Sequence, residues 1–276
     1  MEIKKPAMAG TLESSDCQVT VEPGNGSVEF SLESAVINQY GNQIRKVVLQ
    51  TLENLDVKDV KISVVDKGAL DCTIKARVEG AVFRSVDQIE DIPLGRCNKM
   101  INANKKRLRR TMMFLNAQKP GLIKDPYIYK PDSIMLDLED AVAENQKDAA
   151  RFSLYHALKE INYRGCERVV RINGLDTPYW EEDIHCAVAG GCDAIRIPKT
   201  ESTLDVQRVE TVVEECEKQY GIPEGHTLIM AAIESARGVM KALDICEASE
   251  RMLASLFPAV TIQRIYRLTL QVQAWN

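Results

Sequence analysis

Four short apolar runs in the second half of the chain end on charged residues: SIMLDLEDAV (133–142), RVVRIN (168–173), AIRIPK (194–199) and LIMAAIE (228–234). An uninterrupted apolar run bounded by turn signals is the pattern of a strand buried on both faces, as in a parallel sheet. With one more run from Thr111, the starts fall near residues 111, 134, 169, 194 and 228, which leaves room for a helix after each strand. Apolar positions at helical spacing fill those gaps over residues 146–161, 178–189, 203–220 and 236–248. Gly165, Gly190-Gly191 and Gly221 mark the returns to strand. In a β/α barrel the active site is built at the C-terminal ends of the strands, so Asp137, Glu139, Asp140, Arg171, Arg196, Lys199 and Glu234 are the candidate positions. On residue type alone, Arg171 and Glu234 could equally be a structural ion pair.

The first part reads differently. Cys17, Val19 and Val21 alternate before Gly24-Asn25-Gly26, and Val28, Phe30 and Leu32 alternate after it, which predicts a β-hairpin. Ile37, Tyr40, Ile44, Val47, Val48 and Leu52 predict one amphipathic helix. Val60-Ile62-Val64 and Cys72-Ile74-Ala76-Val78 predict two more strands, with Lys67-Gly68 between them. The expectation is a small α+β domain over residues 1–92. Between Pro93 and Arg110 lie Arg96, Lys99, Lys105, Lys106, Arg107, Arg109 and Arg110 and no acid, which marks a solvated basic linker and the expected first site of proteolysis.

Composition excludes several classes. A net charge of −5 with 45% hydrophobic residues implies no nucleic-acid partner. No run of apolar residues is long enough for a membrane span and MEIKKPAMAGTLE lacks a signal-peptide core, so a cytoplasmic protein without a membrane partner is expected. The 8 cysteines form no Cys-x-x-Cys pair and read as reduced, mostly buried thiols. His156, His185 and His226 have no metal-ligand spacing and read as structural.

The loop AGTLESSD, ending at Asp16, is by physics a polar turn whose hydroxyls bond nearby backbone. Together with the strands after it, however, it resembles the acyl carrier (gamma) subunit of citrate lyase from Met1 to about Cys97. The resemblance implies a covalent 2'-(5''-triphosphoribosyl)-3'-dephospho-CoA group, a phosphopantetheine-like arm, on Ser14. It also implies a transferase that attaches the arm and a partner alpha subunit in a hetero-oligomeric citrate lyase complex of citrate fermentation. A swinging arm suits an accessible hydroxyl on a stable fold.

From Arg109 to about Met252, RRTMMFLNAQKPG, SIMLDLEDAV, VVRINGLDT, IRIPKT and IMAAIESARGV resemble the citrate lyase beta subunit, a member of the citramalyl and malyl-coenzyme A lyase and aldolase group. This resemblance implies a TIM-type barrel that cleaves a citryl thioester to oxaloacetate and an acetyl thioester. Arg171 would bind substrate carboxylate, Glu234 would ligate Mg2+, and Asp137 and Glu139 would stand beside them. The barrel is expected to be incomplete, with five strands over residues 111–252. Beyond it the family has an aspartate as second magnesium ligand, whereas residues 251–276 hold Arg251, Arg264 and Arg267 but no Asp or Glu, among 40 acids in the chain. Residues 253–276 therefore read as an aberrant, out-of-frame tail, with Thr261 near the aspartate's place. Met100 reads as the start of a second, fused gene. Three readings stay open: a fused carrier and lyase, a carrier with an inactive lyase remnant, and a non-catalytic assembly subunit.

Overall fold

The computed structural model describes residues 1–87, 94–97 and 108–256. Most of the expected linker, with Met100, and the stretch with Thr261 lie outside the described residues.

The first part is a four-stranded sheet of β1 (Ala7–Ala9), β2 (Cys17–Glu22), β3 (Val28–Ser34) and β4 (Val60–Asp66) in the order β1-β2-β4-β3. Here the expected hairpin is corrected. β2 runs antiparallel to β4 and β3 runs parallel to it, so β4 separates the two strands that Gly24-Asn25-Gly26 connects. The helix α1 (Ile37–Asn54) carries the chain back for that insertion. Alternation on β2 and β4 buries Cys17, Val19, Val21, Val60, Ile62 and Val64 with Ile44, Val48 and Leu52 of α1.

A second correction concerns Cys72-Ile74-Ala76-Val78, which is not a strand but part of the helix α2 (Asp71–Ser85). The alternation misled because the intervening positions Thr73, Arg77 and Glu79 are buried too. α2 lies between the small sheet and the second part, and a segment buried nearly all round has no period to read.

The second part is a parallel six-stranded sheet in the order β10-β9-β8-β7-β6-β5, formed by β5 (Met112–Asn116), β6 (Ser133–Asp137), β7 (Glu167–Arg171), β8 (Ala194–Ile197), β9 (Leu228–Ala232) and β10 (Met252–Leu256). The sixth strand was not expected, since it begins where the aberrant tail was placed. It pairs with β9 in parallel, and Arg251 before it is buried against Glu217, with Nη2–Oε2 at 2.9 Å. Between the strands run α3 (Pro120–Ile123), α4 (Lys147–Glu160), α5 (Trp180–Gly190), α6 (Thr203–Tyr220), α7 (Ala236–Met240) and α8 (Ala242–Cys246). The expected single helix over 236–248 is thus two short ones meeting at Lys241. One sheet face packs Ile134, Leu136, Val170, Ile195, Ile197, Ile229 and Ala231 under the helices. The other carries the smaller cluster Met135, Val169, Ala194 and Met230. Among the described residues no helix is long and apolar enough to cross a membrane.

The two parts share a core. Phe152 of α4 and Cys186 of α5 belong to the first part's apolar cluster, and Phe83 of α2 meets Phe152 with ring centroids 5.7 Å apart. Arg84 of α2 forms a forked pair with Asp148 of α4, at 2.6 and 2.7 Å. Beside it, His156 of α4 faces Glu79 at 2.6 Å and Glu160 at 3.7 Å, and Lys75 holds Glu160 at 2.7 Å. Burial works against a charged imidazole here, but the carboxylates of Glu79 and Glu160 outweigh it and hold the His156 pKa at about 9. A raised pKa stabilises the fold below the unfolded value near 6.5, and that stability is lost as pH rises through about 9. We expect the wild type to lose about 2–3 kcal/mol more between pH 7 and 10 than His156→Gln does, in urea unfolding at both pH values. Equal losses in the two proteins would contradict a charged His156 at this interface.

Candidate functional site

Strand register builds the first cluster. Asp137 of β6 is paired across the sheet with Arg171 of β7, and Arg171 with Arg196 of β8, so their side chains emerge on one face at the C-terminal ends of adjacent strands. Arg171 donates from Nε and Nη2 to the two oxygens of Asp137, at 2.8 and 2.6 Å. Its Nη1 also lies 3.0 Å from Glu139, whose other oxygen is 2.8 Å from the Lys199 ammonium. Glu139 thus holds the two cations as close ion pairs. The loop is held from beneath by Lys147, which donates to the carbonyls of Leu138 and Glu139 at 2.8 and 2.7 Å. Lys199 sits at φ +48°, a left-handed conformation costly for a side-chain-bearing residue and frequent at functional sites.

Two groups in this cluster lack such partners. Arg196 is buried, its Nε has no hydrogen-bond partner among the described residues, and burial followed by the charge of Arg171 pushes its pKa down. Arg171 and Arg196 both lie over the Phe114 ring, at 5.8 and 5.4 Å from its centroid. Glu234, just beyond β9, makes no ion pair among the described residues. Burial, then the nearby Glu139, raises its pKa, while Arg171, Arg196 and Lys199 pull it back. An anion between the two guanidinium groups would relieve their repulsion and satisfy Arg196, which is the geometry for binding a carboxylate. A cleft of about 580 Å3 opens beside Lys199, with Arg208, Arg237 and Lys241 in its wall.

The second cluster is the loop before β2. Asp16 is buried and accepts from Thr11 N and Oγ1 at 3.2 and 2.8 Å and from its neighbour Cys17 N at 2.8 Å. Arg77 of α2 closes the set, donating to both Asp16 oxygens at 2.9 and 3.1 Å and to Gln118 O of the second part at 3.0 Å. Gly10 is required: at φ +90°, a Cβ there would stand 1.9 Å from Cys17 O. Ser15 adopts φ +66°, is buried, and accepts from Lys124 Nζ at 2.8 Å. These anchors leave Ser14 exposed at the tip of a fixed turn. Losing Asp16 would strand the Arg77 charge in the interior, so Asp16→Ala is expected to cost about 3–5 kcal/mol. Chemical denaturation of Asp16→Ala beside Asp16→Ala/Arg77→Met checks this. The pair is not the anchor if the single variant unfolds like the wild type.

Asp137, Glu139 and Arg171 thus stand in contact, with Glu234 close enough to be shifted by them, while Ser14 lies apart on the first part. Asp140 is exposed, 3.9 Å from Lys199. Arg109 and Arg110 are not in the cluster, since they pair with Glu167 and Asp132 at the opposite ends of the strands. Arg196, one of several charged strand ends in the sequence, gains its place in the site from standing beside Arg171 at matching positions of consecutive strands. His185 meets Tyr220 OH at 2.8 Å, and burial lowers the pKa of His226.

Comparison with known proteins follows the same division. The family described as HpcH/HpaI aldolase/citrate lyase matches residues 110–260, and the family described as malonate decarboxylase delta subunit matches residues 4–85. The citrate lyase subunit beta of Leuconostoc mesenteroides subsp. cremoris is 49% identical over 150 residues, covering 54% of this chain and 50% of that protein. The citrate lyase acyl carrier protein of Vibrio cholerae is 54% identical over 88 residues, covering 32% of this chain and 90% of that protein. A citrate lyase beta subunit from M. tuberculosis, solved with oxaloacetate and magnesium, aligns with a TM-score of 0.45 at 25% identity, over 60% of this chain and 66% of that one. The chain spans about half the length of the curated beta subunits it matches.

Proposed function

Since the chain belongs to the HpcH/HpaI aldolase/citrate lyase family and, through its first part, to the citrate lyase acyl carrier proteins, we propose that it works as a citrate lyase component in which carrier and lyase-type site are one polypeptide. Ser14 bears the covalent arm, a 2'-(5''-phosphoribosyl)-3'-dephospho-CoA group joined through its phosphate, placed there by a dedicated transferase that releases pyrophosphate from the 2'-(5''-triphosphoribosyl)-3'-dephospho-CoA precursor. The strand-tip cluster receives the citryl or acetyl thioester at the arm's end, and an alpha subunit completes the complex. In this reading the parallel sheet is six strands of a TIM-type barrel, residues 1–92 are the carrier and residues 93–110 the linker.

The observation that carries the proposal is the loop. Seven hydrogen bonds converge on Asp16, Ser15 and Gln118, and every one leaves the Ser14 hydroxyl free to be esterified. A thioester on a carrier needs a carboxylate-binding partner to orient its citrate end, and Arg196 with Arg171 offers that fork. Cleaving the bond between C2 and C3 of a 3-hydroxy thioester develops enolate charge, which fixed cations at the rim would stabilise.

Magnesium fits this site poorly. Glu234 offers one hard oxygen donor group, but Asp137 and Glu139 are already neutralised by Arg171 and Lys199. Such a set suits a loosely held, largely hydrated ion. The functional proposal is tested by the mass of the chain after exposure to the transferase and its prosthetic-group precursor, with Ser14→Ala as control.

A further inference from the structure

Between the two parts runs a groove of about 770 Å3 that neither part forms alone. Val36, Tyr40, Ile44 and Leu70 line it from the first part, and Lys124, Tyr127, Ile161 and Arg164 from the second. We propose that this groove is a resting seat for a long phosphate-bearing, coenzyme-A-like arm attached at Ser14. The inference rests on the carrier reading of Ser14.

Two bonded links join the groove to that serine. Lys124, in the groove wall, donates to Ser15 Oγ at 2.8 Å, one residue from Ser14. On the other side Ser15 N donates to Lys67 O at 3.0 Å, and the chain continues directly into Gly68 and Ala69 of the wall. An arm leaving Ser14 therefore meets the mouth of the groove without any change in the fold.

The lining matches the chemistry of such an arm. Lys124 meets the uncharged Ser15 hydroxyl, and among the described residues neither it nor Arg164 has a carboxylate within ion-pair range, so two cations face the groove. Arg164 spreads its guanidinium over the Tyr127 ring, 4.4 Å from the centroid, which leaves a flat cationic surface. Of the wall's acids Glu160 is neutralised by Lys75, while Asp71 keeps its charge and accepts from Gln43 Nε2 at 2.6 Å, so the two cations outnumber the one unpaired carboxylate. Leu70 and Tyr40 remain 43% and 57% exposed, large apolar surface that a bound chain would cover. Cations for phosphates and apolar walls for the intervening chain define an amphipathic, phosphorylated ligand.

Position gives the seat its role. Ile161 and Arg164 lie between the end of α4 and the start of β7, whereas Asp137, Arg171 and Arg196 lie at the C-terminal ends of the strands. An arm in the groove is therefore withdrawn from the strand-tip cluster, and delivery of its thioester requires it to leave.

Free dephospho-coenzyme A is the probe, titrated calorimetrically into the Ser14→Ala chain, which can carry no arm. Binding is expected, weakened at least tenfold by Leu70→Trp, which fills the groove, and similarly by Lys124→Ala, with fold checked by unfolding curves. The modified wild type should show slowed amide exchange over residues 36–44 and 68–72 relative to unmodified protein. Absence of binding, or equal binding by the folded Leu70→Trp chain, would overturn the seat. So would an attached arm that leaves those amides unchanged. A wild type that takes no arm would instead defeat the carrier reading, while the titration still decides whether the groove binds this class of ligand.

Discussion

Added magnesium is expected to leave citryl-thioester cleavage by the purified 276-residue chain close to background, with the ion bound no more tightly than the millimolar range. The cause is the distribution of carboxylates. Asp137 gives both oxygens to Arg171, and Glu139 is shared between Arg171 and Lys199. That leaves Glu234 as the one carboxylate of the cluster without an ion pair among the described residues. Residues 257–276 contain no Asp or Glu to add a second ligand. A loosely held ion is poorly oriented, and a displacement of about 1 Å costs on the order of 100-fold in rate. Loss of a charged ligand should cost more. Rates with and without magnesium, together with a magnesium titration, decide the matter. Robust magnesium-dependent turnover would show that Asp137 or Glu139 leaves its cation to ligate the metal.

Much of the second part was legible because parallel strands buried on both faces announce themselves as apolar runs, and the charges at their ends are conspicuous against them. The same signal failed at β10. Met252–Leu256 was read through the acid-free composition that follows it, although Arg251 finds Glu217, Glu214 and Glu210 along α6. Composition over a long window hid a local fit. In the first part, strand and helix periods were confused where burial came from a neighbour distant in sequence. Arg77 and Glu79 look like solvent-facing residues of a strand until Asp16 and His156 are brought against them. The AGTLESSD loop carried a serine assignment by resemblance, but not its physics. That Asp16 is the buried anchor and Gly10 a steric necessity depends on α2 and on the approach of Cys17 O. The roles of Arg196 and Lys199 were equally out of reach, because the register that sets Arg196 beside Arg171 is a property of the sheet.

Attachment of the arm should be all or none at Ser14. Ser15 is the obvious competitor, being the next hydroxyl in the same motif, but it is buried and engaged by Lys124. A transferase would have to break that contact and unseat the loop from Lys67 to reach it. Ser14 offers an exposed hydroxyl on a turn whose position Asp16 and Arg77 already fix, so little conformational freedom is lost when the enzyme binds it. The most direct test is the intact mass of wild type, Ser14→Ala and Ser15→Ala after each is produced with the transferase and its precursor. One adduct of the mass of the phosphoribosyl-dephospho-coenzyme A group is expected on wild type and Ser15→Ala and none on Ser14→Ala. An adduct on Ser14→Ala, or none on the wild type, would contradict the account.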